Sequence, residues 1–143
     1  MRTQSSPAAH LLIVEEDEEI RTLLLALLAQ EHYSCVAAAS LEEALALLEE
    51  HRFDLILSEL LELSPRNLFR SVTQLQLLAA PTPIALMTGW DVTQEEAIHR
   101  GFAGLLGKPF DVDYLLEWLA ELVRYFAFPE TAVSMKERAE LEV

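Results

Sequence analysis

Five side chains suited to polar chemistry stand at the ends of four apolar runs. Glu15 and Glu16 close the run His10-Leu-Leu-Ile-Val-Glu-Glu-Asp17, Glu59 closes Phe53-Asp-Leu-Ile-Leu-Ser-Glu59, and two further runs end at Thr88 and at Lys108-Pro109. If each run is a strand of an open parallel sheet, its carboxyl end is where chemistry gathers, so acids, a hydroxyl and an ammonium far apart in sequence converge on one pocket. Crowded carboxylates raise one another's pKa, and a cation within about 4–6 Å offsets that cost. Lys108 is therefore expected to be the counter-ion of Glu59. Blander uses exist for the others: Thr88 as a backbone cap at a strand end, and the stretch 15–19 as a solvated acidic turn at the positive end of the following helix.

The elements that would position these groups follow from periodicity. Short apolar runs at 11–14, 34–38, 55–58, 84–87 and 103–106 alternate with helical patterns, as in βαβ units. Four of the five are too apolar to leave one face in water, which fits a parallel sheet covered on both sides. The stretch 18–30 places Ile20, Leu23, Leu24, Leu27 and Leu28 on one helical face, and 41–50 opens with the capping box Ser40-Leu-Glu-Glu43. Further helices are predicted over 65–79, stopping before Pro81, over 94–100, ended by Gly101, and from the cap Asp111 to about 125.

A chain of 143 residues, 52 % hydrophobic and 24 % charged, holds one globular domain with a tail. The formal net charge of −14 argues against nucleic-acid binding, which draws its affinity from Lys and Arg displacing counterions. The longest leucine-rich stretch, 23–29, falls far short of the roughly 20 apolar residues that span a bilayer, and a cytoplasmic location is expected. Cys35, the single cysteine, lies among apolar residues and reads as an inert thiol. The four histidines, His10, His32, His51 and His99, have no ligand spacing with one another.

Four motifs carry a resemblance. Ile13-Val-Glu-Glu-Asp-Glu-Glu-Ile-Arg21, Phe53-Asp-Leu-Ile-Leu-Ser-Glu59 followed by Leu60, Pro83-Ile-Ala-Leu-Met-Thr88 and Leu106-Gly-Lys-Pro-Phe110 together resemble the receiver domain of two-component response regulators. The likeness runs over about residues 9–123, leaving 1–8 as an N-terminal extension and 124–143 as a C-terminal tail in which 134–142 has helical character. It implies an α/β, flavodoxin-like fold: a doubly wound, five-stranded parallel sheet of order 2-1-3-4-5.

The resemblance also implies roles. Glu15 and Glu16 fall on the acidic pair that helps hold Mg²⁺, Glu59 on the phosphoryl-accepting aspartate, and Thr88 and Lys108 on the residues that contact the phosphoryl group. Mg²⁺ wants oxygen ligands in a near-octahedral array, and glutamates at both 16 and 59 put the carboxylates one methylene further out, so a site built from Glu15, Glu16 and Glu59 is expected to bind weakly. Lengthening the acceptor displaces its oxygen by roughly 1.5 Å, where about 1 Å of misplacement already costs on the order of a hundredfold in rate. Leu63 and Asn67 replace a usual proline and glycine in the following loop, with Asn67 expected to tolerate a left-handed turn. Leu105 stands in place of the aromatic switch residue; Trp90 is an alternative switch, and Phe102 is expected in the core.

These departures point to an atypical, stand-alone receiver that signals by protein contact with little or no phosphotransfer. Two alternatives stand beside it. One is a Mg²⁺-dependent receiver phosphorylated on Glu59 or a neighbouring hydroxyl such as Ser58; the other is the receiver piece of a longer sensor protein. Partners implied are a sensor histidine kinase or a downstream effector. The last helix carries apolar residues over roughly 200° of its circumference, twice the stripe of about 100° that a sheet covers. Either the tail folds over the surplus or Tyr114 and Trp118 belong to a dimer or partner interface, an arrangement the resemblance favours.

Overall fold

The computed structural model describes residues 9–127; the extension 1–8 and the helical segment expected at 134–142 lie outside that range. Five strands, β1 (His10–Val14), β2 (Ser34–Ala38), β3 (Leu55–Glu59), β4 (Ile84–Thr88) and β5 (Gly104–Gly107), alternate with five helices, α1 (Glu18–Gln30), α2 (Leu41–Glu50), α3 (Arg70–Ala79), α4 (Gln94–His99) and α5 (Val112–Ala127). All pairings are parallel, in the order β2-β1-β3-β4-β5.

Alternation along the central strands divides the core into two layers. Leu12, Val14, Ile56, Ile84 and Leu86 face one side and pack with Ala44, Val72, Leu75 and Ala97 of α2, α3 and α4. Leu11, Ile13, Leu55, Leu57 and Met87 face the other and meet Leu24 and Leu28 of α1 and Leu115, Leu119 and Val123 of α5. Both faces are dry, which is why β1, β3 and β4 read as unbroken apolar runs. Leu23, counted on the buried face of α1, is instead 46 % exposed at its margin.

The capping box forms as expected: Ser40 accepts from the Glu43 N–H, and the Glu43 carboxylate accepts from the Ala39 N–H at 2.7 Å. The helix predicted over 65–79 is broken. A short 3₁₀ turn spans Pro65–Asn67, and α3 starts only at Arg70. The reason lies at Phe69, which leaves helical geometry to bury its ring against Phe102, 6.1 Å away, beneath the Arg100 guanidinium. The left-handed residue of the β3–α3 loop is also not Asn67 but Leu61, at φ 67°. At the other end, α5 runs to Ala127, two residues past the end expected at about 125.

Candidate functional site

The parallel register brings the carboxyl ends of β1, β3, β4 and β5 to one edge, where Glu15, Glu59, Thr88 and Lys108 assemble. Glu15, directly after β1, is buried; its Oε1 accepts from Lys108 Nζ at 2.6 Å and its Oε2 from the Asp17 N–H at 3.1 Å. Arg21 fastens the same loop, donating to the Glu15 and Glu16 carbonyls at 2.8 and 3.3 Å. Glu59 folds back towards this loop, and its Oε2 accepts from the Glu16 N–H at 2.8 Å. The Glu16 side chain itself is exposed, so Glu16 serves the site through its backbone.

Lys108 is therefore the counter-ion of Glu15, which corrects the pairing with Glu59 expected from sequence. The added methylene explains the change, because it lets the Glu59 carboxyl reach a backbone donor and hydrogen-bond to the Glu15 carboxyl instead. The two acids then separate in pKa. Glu59 is pushed up to about 7, first by burial and then by its hydrogen bond to Glu15, with the Glu16 N–H opposing. Glu15 suffers burial too, but hydrogen bonds with Glu59 and Lys108 hold it below the usual carboxylate range. Near neutrality the pair is thus one fixed anion, Glu15, compensated by Lys108, and one acid that titrates.

Thr88 is buried at the end of β4, its hydroxyl accepting from the Trp90 N–H at 2.9 Å while its carbonyl accepts from the Lys108 N–H at 2.7 Å. It is a strand-end cap and a pocket wall at once. Beside it opens a cavity of about 380 Å³ lined by Glu59, Glu62, Thr88, Trp90 and Lys108 among others. Glu62 was not anticipated; it accepts a short hydrogen bond from Ser71 Oγ, and its position three residues past Glu59 was the available signal. Among the described residues, no group of three or more His, Cys, Asp or Glu side chains is arranged to hold a metal ion. A divalent cation at Glu15 would have to displace Lys108 and Glu59 from its carboxylate.

The two residues expected at an interface differ in burial. Tyr114 is 55 % exposed, whereas Trp118 is half-buried against the α1/α5 layer and lies over Gly104, where a Cβ would come within 3.2 Å of its ring. Leu105 is partly buried, and Phe102 is in the core.

Residues 11–120 match the family described as the response regulator receiver domain. The chain belongs to that family. Among curated relatives, it is 32 % identical over 117 residues to the transcriptional regulatory protein GlrR of Escherichia coli strain K12, covering 79 % of this chain and 26 % of that one. It is also 32 % identical over 122 residues to the protein PetR of Rhodobacter capsulatus, covering 84 % of this chain and 51 % of the relative. The chain thus spans between about a quarter and a half of these relatives. The chemotaxis response regulator CheY4 of Vibrio cholerae superposes with a TM-score of 0.66 at 29 % identity, covering 80 % of this chain and 98 % of its own. Receiver domains are signalling modules that work through kinases and effectors. No helix among the described residues is long and apolar enough to cross a membrane.

Proposed function

We propose that this receiver signals by protein contact, with little or no phosphotransfer, and that Glu59 holds it near one signalling state. The observation that carries the reading is the engagement of Glu59, at the accepting position, by the Glu16 N–H and the Glu15 carboxyl. A carboxyl so held is poorly placed for in-line attack on phosphorus, a reaction that depends on positioning and electrostatics. Lys108, already satisfied by Glu15, is likewise drawn away from an incoming phosphoryl group. Mg²⁺ binds weakly here, since its ligands would come from acids committed to one another. Glu59 mimics a phosphoryl group only in part, bringing at most one negative charge where a phosphate brings about −1.5 to −2.

The experiment is intact-mass measurement after treatment with a small phosphodonor, with and without Mg²⁺, on the wild type and on Glu59→Asp. The wild type should gain no phosphoryl mass, while Glu59→Asp regains some in Mg²⁺. Mg²⁺-dependent labelling of the wild type would replace this reading with the catalytic one, which the presence of Thr88 and Lys108 in one cavity with Glu59 favours. Exchange of output, through a separate partner or through a further unit of a longer sensor protein, is compatible with the same pocket chemistry.

A further inference from the structure

At the end of the sheet opposite the acid pocket, two histidines remote in sequence come together. His10 opens β1 and His51 follows the last turn of α2, and their ring centroids stand 5.9 Å apart at a tilt of 48°. Both rings pack on Phe53, His10 stacked at 4.8 Å and His51 at 5.7 Å. The His10 backbone is fixed by Asp54, whose carboxylate accepts from the His10 N–H at 2.7 Å and whose N–H donates to the His10 carbonyl at 2.7 Å. On the ring, Nδ1 lies 3.2 Å from the Ser34 carbonyl oxygen and 3.0 Å from Ser34 Oγ.

We propose that His10 and His51 form a site for a borderline divalent transition metal such as Zn²⁺, with water filling the remaining positions. The spacing supports it. A Zn–N bond of about 2.0–2.1 Å plus a ring radius of about 1.2 Å gives roughly 3.2 Å per arm, so two imidazoles on one metal have centroids about 5.3 Å apart at a tetrahedral angle and about 6.5 Å apart when opposed. The observed 5.9 Å falls between these limits. The Ser34 carbonyl, 3.2 Å from Nδ1, can take that nitrogen's proton, and with Nδ1–H donating there Nε2 keeps its lone pair for a metal, the arrangement by which metal-ligating histidines are commonly oriented. His51 is exposed, and the net charge of −14 raises the local concentration of cations.

Imidazole selects this class of metal over Mg²⁺, which prefers oxygen. Two protein donors, rather than three or four, leave open positions and make the site weaker than a closed structural one. Bound metal would join the start of β1 to the end of α2 and so report transition-metal availability at the face opposite the acid pocket.

The test is calorimetric titration of the full chain with ZnCl₂, with MgCl₂ as control, and NMR of the histidine ring nitrogens in parallel. Expected are one equivalent of Zn²⁺ bound, perturbation confined to His10 and His51, no response of these rings to Mg²⁺, and at least about tenfold weaker binding in His51→Ala, because one of two donors is gone. Far-UV circular dichroism establishes that His51→Ala is folded, and His10→Gln provides the second arm. Absence of stoichiometric uptake, undiminished affinity in His51→Ala, or perturbation centred on His32, His99 or the acid pocket would each overturn the proposal.

Discussion

Replacing Glu59 by glutamine should stabilise the protein above neutral pH and change it little as the pH falls to 4.5 and below. Glu59 titrates at about 7 in the folded protein against 4.5 for an ordinary glutamate. The folded state therefore binds more protons than the unfolded state between these values, and stability falls as pH rises through that window. The full difference, at 1.36 kcal/mol per pH unit, is on the order of 3 kcal/mol. Partial solvent access screens it, leaving on the order of 1–2 kcal/mol. Glutamine keeps the geometry, since its carbonyl accepts from the Glu16 N–H and its amide donates to Glu15, but it has no proton to lose. Glu15 acts with the opposite sign: its depressed pKa contributes stability above the ordinary value that is lost on acidification. Glu59→Gln should thus remove only the alkaline slope.

Thermal and urea unfolding from pH 4.5 to 9, followed by circular dichroism, measures this. At pH 8 the variant should melt higher by roughly 3–10 °C, a shift appropriate to 1–2 kcal/mol in a domain of this size. The difference between the two curves matters more than either alone, because self-repulsion at a net charge of −14 affects both alike. If Glu59→Gln is less stable than the wild type at pH 8, or if the two profiles run parallel, Glu59 is ionised and paired in the fold and the reasoning fails.

Mg²⁺ titration should change the fluorescence of Trp90, which lines the acid cavity, only slightly at millimolar concentration; tight, saturable quenching lost in Glu15→Gln would show a competent metal site. Tyr114→Ala should leave the melting temperature nearly unchanged while weakening any self-association or partner capture seen by sedimentation, because the ring is more than half exposed. Trp118→Ala should instead lower stability by about 2–3 kcal/mol in denaturant melts, as expected for emptying a half-buried aromatic site over Gly104. Equal effects of the two substitutions on both readouts would refute that division.

The sequence made the sheet legible because both its faces are dry. Continuous apolar runs at β1, β3 and β4, alternating with helical patterns, fit a parallel sheet covered on both faces, and the polar residues that end them then share an edge. What it concealed were contacts decided by side-chain length and by remote neighbours. The arc of apolar residues on α5 does not by itself separate exposed from half-buried positions: the missing side chain of Gly104 gives the Trp118 indole a seat. The helical pattern through 65–79 hid a break that only the long-range partners of Phe69 require. His10 and His51 carried no local signal, because β1 and α2 meet only once the chain has folded.

The same distinction governs the acid pocket. Backbone register fixes which positions meet, so Glu15, Glu59, Thr88 and Lys108 were all correctly gathered there, yet it does not fix which atoms bond. The glutamate at position 59 is long enough to reach past the lysine: Lys108 pairs with Glu15, Glu59 accepts from the Glu16 N–H, and burial beside Glu15 raises the pKa of Glu59 to about 7.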